Sequence, residues 1–181
     1  LNPRSDQSIL LLMPASRPQE LRYILPTFMK SAKKLQQKYP SLVVYIPSCR
    51  DAFDEIFKKA FRKYQVKGLV ISQKDSAKLK PYIYSLTKIA LCKSGTVNME
   101  LALYGIPQIV GYRVSRVTAF IAKKILNFKV KFISPVNLLV NKLIIPEFVQ
   151  KEFNERKIFY KSCRILEGKS EKIKIKQGYA F

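Results

Sequence analysis

Residues 93–100 read Lys-Ser-Gly-Thr-Val-Asn-Met-Glu. A turn of small residues feeding a helix leaves backbone N–H groups unpaired at the positive helix end, which suits an anion. Gly95 lets a phosphate approach the backbone, and Ser94 and Thr96 add hydroxyl donors. At a rise of about 1.5 Å per residue, Glu100 lies about 6–9 Å further along the helix. That spacing suits a carboxylate gripping ribose hydroxyls while a diphosphate rests on the turn. Taken alone, the same residues also fit plain capping by Ser94 or Thr96 and a solvated Glu100.

A second turn, residues 13–20, reads Met-Pro-Ala-Ser-Arg-Pro-Gln-Glu. Ser16 with Gln19 fits a capping box. Arg17 stands at a helix mouth, where a cation is unfavourable unless an anion shares the site, and its planar fork matches a phosphate. Gly111-Tyr112-Arg113 forms a third cluster. Residues 134–139 read as a loop whose Asn137 either reads a base or phosphate or makes an ordinary Asn turn. Pro146-Glu147-Phe148 reads as the start of a short helix, with Glu147 offsetting its dipole.

These turns need a scaffold, and the apolar pattern supplies one. Short apolar runs at 8–13, 41–47, 68–72, 88–92 and 108–112 alternate with helical stripes at 18–38, 51–64 and 96–104, and with a short helix or turn near 76–86. Pro26 is expected to kink or restart the first helix. Gly105 and Pro107 close the helix at 96–104. Residues 115–128 read as a basic amphipathic helix, suited either to packing on the sheet or to lying on an anionic bilayer. Continuous apolar strands alternating with helices imply an α/β domain with a parallel sheet flanked by helices, and ligands bind such sheets beyond the strand carboxyl ends. Residues 1–167 form that domain; residues 168–181 show weak periodicity and are expected to pack poorly.

Composition narrows the chemistry. The chain of 181 residues carries 34 Lys and Arg against 12 acids, a net charge of +22, and no His. The missing His excludes a Ser–His–Asp triad, a Cys–His pair or a His-ligated metal within these residues. Cys49, Cys92 and Cys163 are far apart and suggest no disulfide framework. No apolar run is long enough to span a bilayer. The chain begins at Leu1, directly before a strand, and is expected to be part of a longer protein. The basic surplus fits either solvated lysines or an anionic partner.

In combination, MPASRPQEL, ALCKSGTVNMELALYGIPQIVGYRVS and ISPVNLLVNKLIIPEFVQ resemble the lipid-A-disaccharide synthases, particularly those of the cyanobacterial and plastid lineage, from about Ile9 to about Glu167. The resemblance implies one Rossmann-like half of a GT-B glycosyltransferase, metal-independent and inverting, with no cofactor. The family joins UDP-2,3-diacylglucosamine to 2,3-diacylglucosamine 1-phosphate through a β-1,6 linkage and releases UDP. This chain looks like the C-terminal, UDP-sugar-binding half. By the resemblance Ser16 and Arg17 face the diphosphate, Ser94, Gly95 and Thr96 cradle it, Glu100 holds the ribose, and Asn137 and Leu138 lie near the UDP. The catalytic base and acceptor site belong to an N-terminal half. The family usually carries Gly where this chain has Ala15, whose extra methyl is expected either to crowd the phosphate or to require a negative φ. The resemblance also implies a cytoplasmic or plastid-stromal enzyme, peripheral at the inner membrane surface, with no nucleic-acid partner. The alternatives are a basic nucleotide- or nucleic-acid-binding module and a GT-B-fold UDP-sugar epimerase. The synthase reading requires Arg17 and Glu100 to share one crevice.

Overall fold

A computed structural model of the chain describes residues 8–115 and 131–180. Its inner strands are near-continuous apolar runs, the pattern of parallel strands covered on both faces. They are β1 (Ser8–Met13), β2 (Leu42–Pro47), β4 (Thr87–Lys93) and β5 (Gln108–Tyr112). Short strands β3 (Gly68–Ile71) and β6 (Glu147–Val149) form the two edges. The six strands pair in parallel in the order β3-β2-β1-β4-β5-β6. The chain therefore builds outward from β1 in one direction, returns, and builds outward from β4 in the other.

Helix α1 (Pro18–Lys38) begins with Pro in its first turn and runs through Pro26 without restarting. An interior Pro costs about 3 kcal/mol. Leu21, Ile24, Leu25, Phe28, Met29, Ala32 and Leu35 are all buried along one face, and each but the smaller Ala32 contributes about 1.5–3 kcal/mol of burial, so the stripe prevails. Helix α2 (Asp54–Tyr64) links β2 to β3, α3 (Gln73–Leu86) links β3 to β4, and α4 (Val97–Leu103) follows β4. Gly105 at φ 64° ends α4 as expected: its amide donates to the Ala102 carbonyl and that of Ile106 to Leu101, at 2.8 and 2.9 Å.

The carboxyl-terminal third departs from the sequence expectation. Residues 134–139 belong to a helix, α5 (Pro135–Val140), capped by the Ser134 hydroxyl, which accepts from the Asn137 amide. Glu147 starts no helix; it opens β6, a strand too short to carry a period. Helix α6 (Glu155–Glu167) packs on α1, where Phe153 meets Phe28 edge-on at 5.2 Å. A side chain at Gly111 would collide with both rings. The tail, expected to pack poorly, forms α7 (Lys169–Gly178), with Ile175 buried and Tyr179 packed against the core. So few apolar residues in a Lys-rich helix leave little periodic signal. The basic helix expected at 115–128 falls, except for Ser115, outside the described residues.

Candidate functional site

The β1 and β4 ends stand side by side, Met13 opposite Cys92, at the point where the strand order reverses. In open α/β sheets this is where a crevice forms. A cleft of about 190 Å³ lies there, lined by Ala15 and Ser16 from one turn, Lys93 through Val97 from the other, and Pro47 and Cys49 from the end of β2. Four predicted residues, Ser16, Ser94, Gly95 and Thr96, thus meet in one place. Ala15 has a negative φ, so its methyl sits in the turn without backbone strain.

Local bonding decides which groups remain available. The capping box does not form: Arg17, not Ser16, is the N-cap of α1, and no side chain caps that helix. Ser16 is exposed beside the cleft. Thr96 is the N-cap of α4 and its hydroxyl makes no capping bond. Ser94 Oγ donates to the Ile133 carbonyl and so ties the turn to the segment before α5. The Gly95 amide is already used, donating to Asn98 Oδ1 at 2.8 Å. The amides of Thr96 and Val97, at the start of α4, have no intrahelical acceptor, as at any helix start. A Cβ on Gly95 would meet nothing within 4 Å, so this face of the turn opens onto the cleft. Beneath it, Lys93 Nζ donates to Glu20 Oε1 at 2.8 Å, a largely buried pair joining the two turns. Sequence reasoning missed this pair, because each residue alone reads as an ordinary surface charge.

Arg17 and Glu100 do not share a crevice. Arg17 lines a neighbouring groove with Glu20, Arg22, Tyr23, Tyr112 and Arg113, toward β5. Arg113 is held there by bonds from its guanidinium to the carbonyls of Gln150 and Phe153, and lies over the Phe153 ring. Glu100 pairs with Lys80 Nζ at 2.8 Å. Lys80 lines a recess toward β2 with Ser48, Ser76 and Tyr84; this recess shares Met13, Pro47 and Cys49 with the central cleft. Burial, with the Glu100 charge beside it, pushes the Tyr84 phenol upward. The two residues therefore flank the central cleft from opposite sides along the sheet edge.

The Asn137 side chain is engaged within the protein. It is fully buried, Nδ2 donating to the Ile145 carbonyl at 2.8 Å and to Glu147 Oε1 at 2.7 Å. Its Oδ1 accepts from the Ile144 and Ile145 amides at 2.8 and 3.0 Å. Glu147 in turn accepts from the Ile133 and Ser134 amides and the Ser134 hydroxyl. The pair is an internal clasp around α5, and Leu138 beside it is half-exposed.

Residues 2–180 match the family described as Lipid-A-disaccharide synthetase. The chain is 44% identical over 179 residues to the Lipid-A-disaccharide synthase of Prochlorococcus marinus, covering 99% of this chain and 46% of that protein. It is 31% identical to the Synechocystis enzyme of the same name, covering 96% of this chain and 43% of that one. The chain thus spans a little under half the length of these curated relatives. Among solved structures, it is similar to UDP-GlcNAc 2-epimerase from Neisseria meningitidis bound to UDP-GlcNAc, with a TM-score of 0.63 at 13% identity over 98% of this chain and 40% of that chain. It is also similar to the catalytic domain of cholesterol-alpha-glucosyltransferase from Helicobacter pylori, with a TM-score of 0.59 at 13% identity over 96% of this chain and 95% of that domain. At such identities the likeness concerns the fold alone.

Proposed function

The chain belongs to the lipid-A-disaccharide synthetase family, and from that premise we propose that it is the UDP-sugar-binding half of an inverting glycosyltransferase of lipid A biosynthesis. The donor is UDP-2,3-diacylglucosamine and the acceptor 2,3-diacylglucosamine 1-phosphate. The acceptor 6-hydroxyl attacks the donor C1, the bond from C1 to the diphosphate oxygen breaks, and UDP leaves. The hydroxyl proton passes to a base on an N-terminal half, which also supplies the acceptor site.

The observation that carries this reading is the cleft between the β1 and β4 turns, with Gly95 open toward it and Ser16, Ser94 and Thr96 on its walls. Negative charge grows on the diphosphate as the bond breaks, and fixed donors already aimed there lower the barrier without reorganising. The first amides of α4 and the two free hydroxyls supply such donors. Arg17 and Glu100 do not meet in the single crevice that the sequence reading required; the reading stands instead on family membership and the central cleft, and in it Arg17 reaches the same phosphates from the adjoining groove. Glu100 takes the ribose once its pair with Lys80 opens or is shared. Asn137 holds α5 in position, and Leu138 offers an apolar contact to the nucleotide.

Anionic, membrane-borne substrates suit a chain of net charge +22. No helix among the described residues is long and apolar enough to cross a membrane. Exposed Leu139 and Leu143 beside Lys142 give the α5 end a chemistry matched to an anionic bilayer surface.

Calorimetric titration with UDP tests the reading. One UDP binds, and UDP rather than RNA displaces a fluorescent uridine nucleotide. Arg17→Ala weakens UDP about tenfold, the size of one charge-assisted bond, and Glu100→Ala weakens it measurably. Identical UDP affinity in wild type and both variants removes these two residues from the site, and RNA displacing the probe as well as UDP overturns the assignment.

A further inference from the structure

The Gly95 amide ends a continuous chain of polar contacts that begins in the tail and is fully buried at its middle. Asn98, on α4, accepts from Gly95 with Oδ1 and donates from Nδ2 to Gln108 Oε1 at 3.0 Å and Cys92 Sγ at 3.2 Å. Gln108, the first residue of β5, donates from Nε2 to the Asn98 carbonyl at 2.9 Å and to Tyr179 Oη at 3.2 Å. Tyr179 passes its own hydroxyl hydrogen to the Ile106 carbonyl at 3.0 Å. Asn98, Gln108 and Cys92 are all fully buried.

Every member of this chain is matched, so neither amide can flip. Turning Asn98 would face its NH₂ toward the Gly95 N–H. Turning Gln108 would face its oxygen toward the Asn98 carbonyl. Burial pushes the Cys92 thiol up to about 12, so it stays protonated and gives its hydrogen to Gln108 Oε1, 3.4 Å away. A fully satisfied buried network fixes one geometry, while loss of a single partner leaves a stranded polar atom and loosens the rest.

We propose that Tyr179 and Gln108 are positioning residues which hold Asn98 as a clasp on Gly95, so that the carboxyl-terminal helix sets the shape of the diphosphate turn. The proposal rests on the UDP reading only for the identity of the ligand; the clasp itself is read from the contacts. Without it, the Gly95 amide must find another acceptor, and the turn samples other shapes. The tail is remote from the cleft in sequence and lines none of it, so its influence on the ligand passes through these side chains.

The test is Tyr179→Phe, which keeps the ring and removes the hydroxyl, in the whole 181-residue chain labelled with ¹⁵N-glycine. Six glycines give at most six amide signals, and Gly111 inside β5 reports opening of the sheet. Ile165→Val, buried in α6 and taking no part in these hydrogen bonds, is the control for lost stability alone. The proposal predicts that Y179F speeds hydrogen exchange at Gly95 about tenfold more than at Gly111, and weakens UDP binding about three- to tenfold. I165V lowers the unfolding midpoint and leaves both the exchange ratio and UDP affinity unchanged. Gln108→Met, which cuts the chain at its middle, serves if Y179F does not accumulate folded protein, and the same pair of changes is expected. Exchange at Gly95 and Gly111 that rises together, or an unchanged Gly95, overturns the clasp and leaves Tyr179 an ordinary packing residue. A selective change at Gly95 in a chain that does not bind UDP upholds the clasp and rejects the ligand.

Discussion

Two turns of this protein look alike in sequence and behave oppositely in structure. Ser94-Gly95-Thr96 and Ser134-Pro135-Val136 each lead into a short helix, and each is followed by an Asn whose side chain binds backbone, Asn98 reaching back to Gly95 and Asn137 forward to Ile144 and Ile145. Around Asn137 every donor and acceptor is matched, and Glu147 collects three more donors from residues 133 and 134. Around Asn98 the internal bonds are as complete, yet the turn they hold faces open space at Gly95, and the Thr96 hydroxyl caps nothing. One Asn closes a loop on itself; the other props open an edge of a cleft. Polar residues at a turn are thus no guide to binding until their hydrogen bonds have been accounted for.

The contrast can be broken from either side. The largest effect is expected from Asn137→Ala, which strands the Ile144 and Ile145 amides and the Ile145 carbonyl. It should cost about 3 kcal/mol of folding stability, several unmade buried bonds less partial relaxation, while the folded fraction keeps its UDP affinity. Chemical denaturation alongside calorimetry checks both halves, and a stable protein that loses UDP would make Asn137 a ligand contact after all. Next comes Gly95→Ala. With nothing within 4 Å of the added methyl, stability should hold or rise by up to about 1 kcal/mol. The methyl fills the approach to the turn, so UDP affinity should fall about tenfold, near 1.4 kcal/mol.

Acid gives the smallest effect and sharpens the comparison through the tail. The bond from Lys161, and then the charges of Lys161 and Arg164, hold the Glu171 carboxyl below its ordinary range. A carboxyl lowered in the folded state stabilises above its unfolded pKa, and that contribution is lost as pH falls through the folded value. The unfolding midpoint should therefore drop from about pH 5 downward, less steeply in Glu171→Gln. Equal slopes would mean that this ion pair adds nothing to α7.

The scaffold and half the cleft were legible because they follow from strong local signals. Strands such as Gln108–Tyr112 are continuous apolar runs, and the Gly105 stop on α4 requires a positive φ. Ser94, Gly95 and Thr96 could be placed at the cleft because a turn between a strand and a helix falls at the carboxyl end of the sheet; alone they fitted capping as well, and only the resemblance assigned them a diphosphate. What escaped depends on long-range partners. Glu20 and Lys93 are 73 residues apart, Tyr179 and Gln108 71 apart, and no periodicity links them. Glu147 read as a helix start because Pro146 suggested one, while β6 exists only by pairing with β5. Glu100 was placed by its rise along α4, which is right as a distance and silent about direction; Lys80 on α3 sets where its carboxylate points.

The most direct measurement is a UDP titration of the ¹⁵N-glycine-labelled chain, read at each glycine amide. The account predicts a saturable shift at Gly95, with Gly68 at the amino end of β3 and Gly178 at the end of α7 unmoved. A Gly95 signal that stays put at saturating UDP, while another glycine moves, would contradict it.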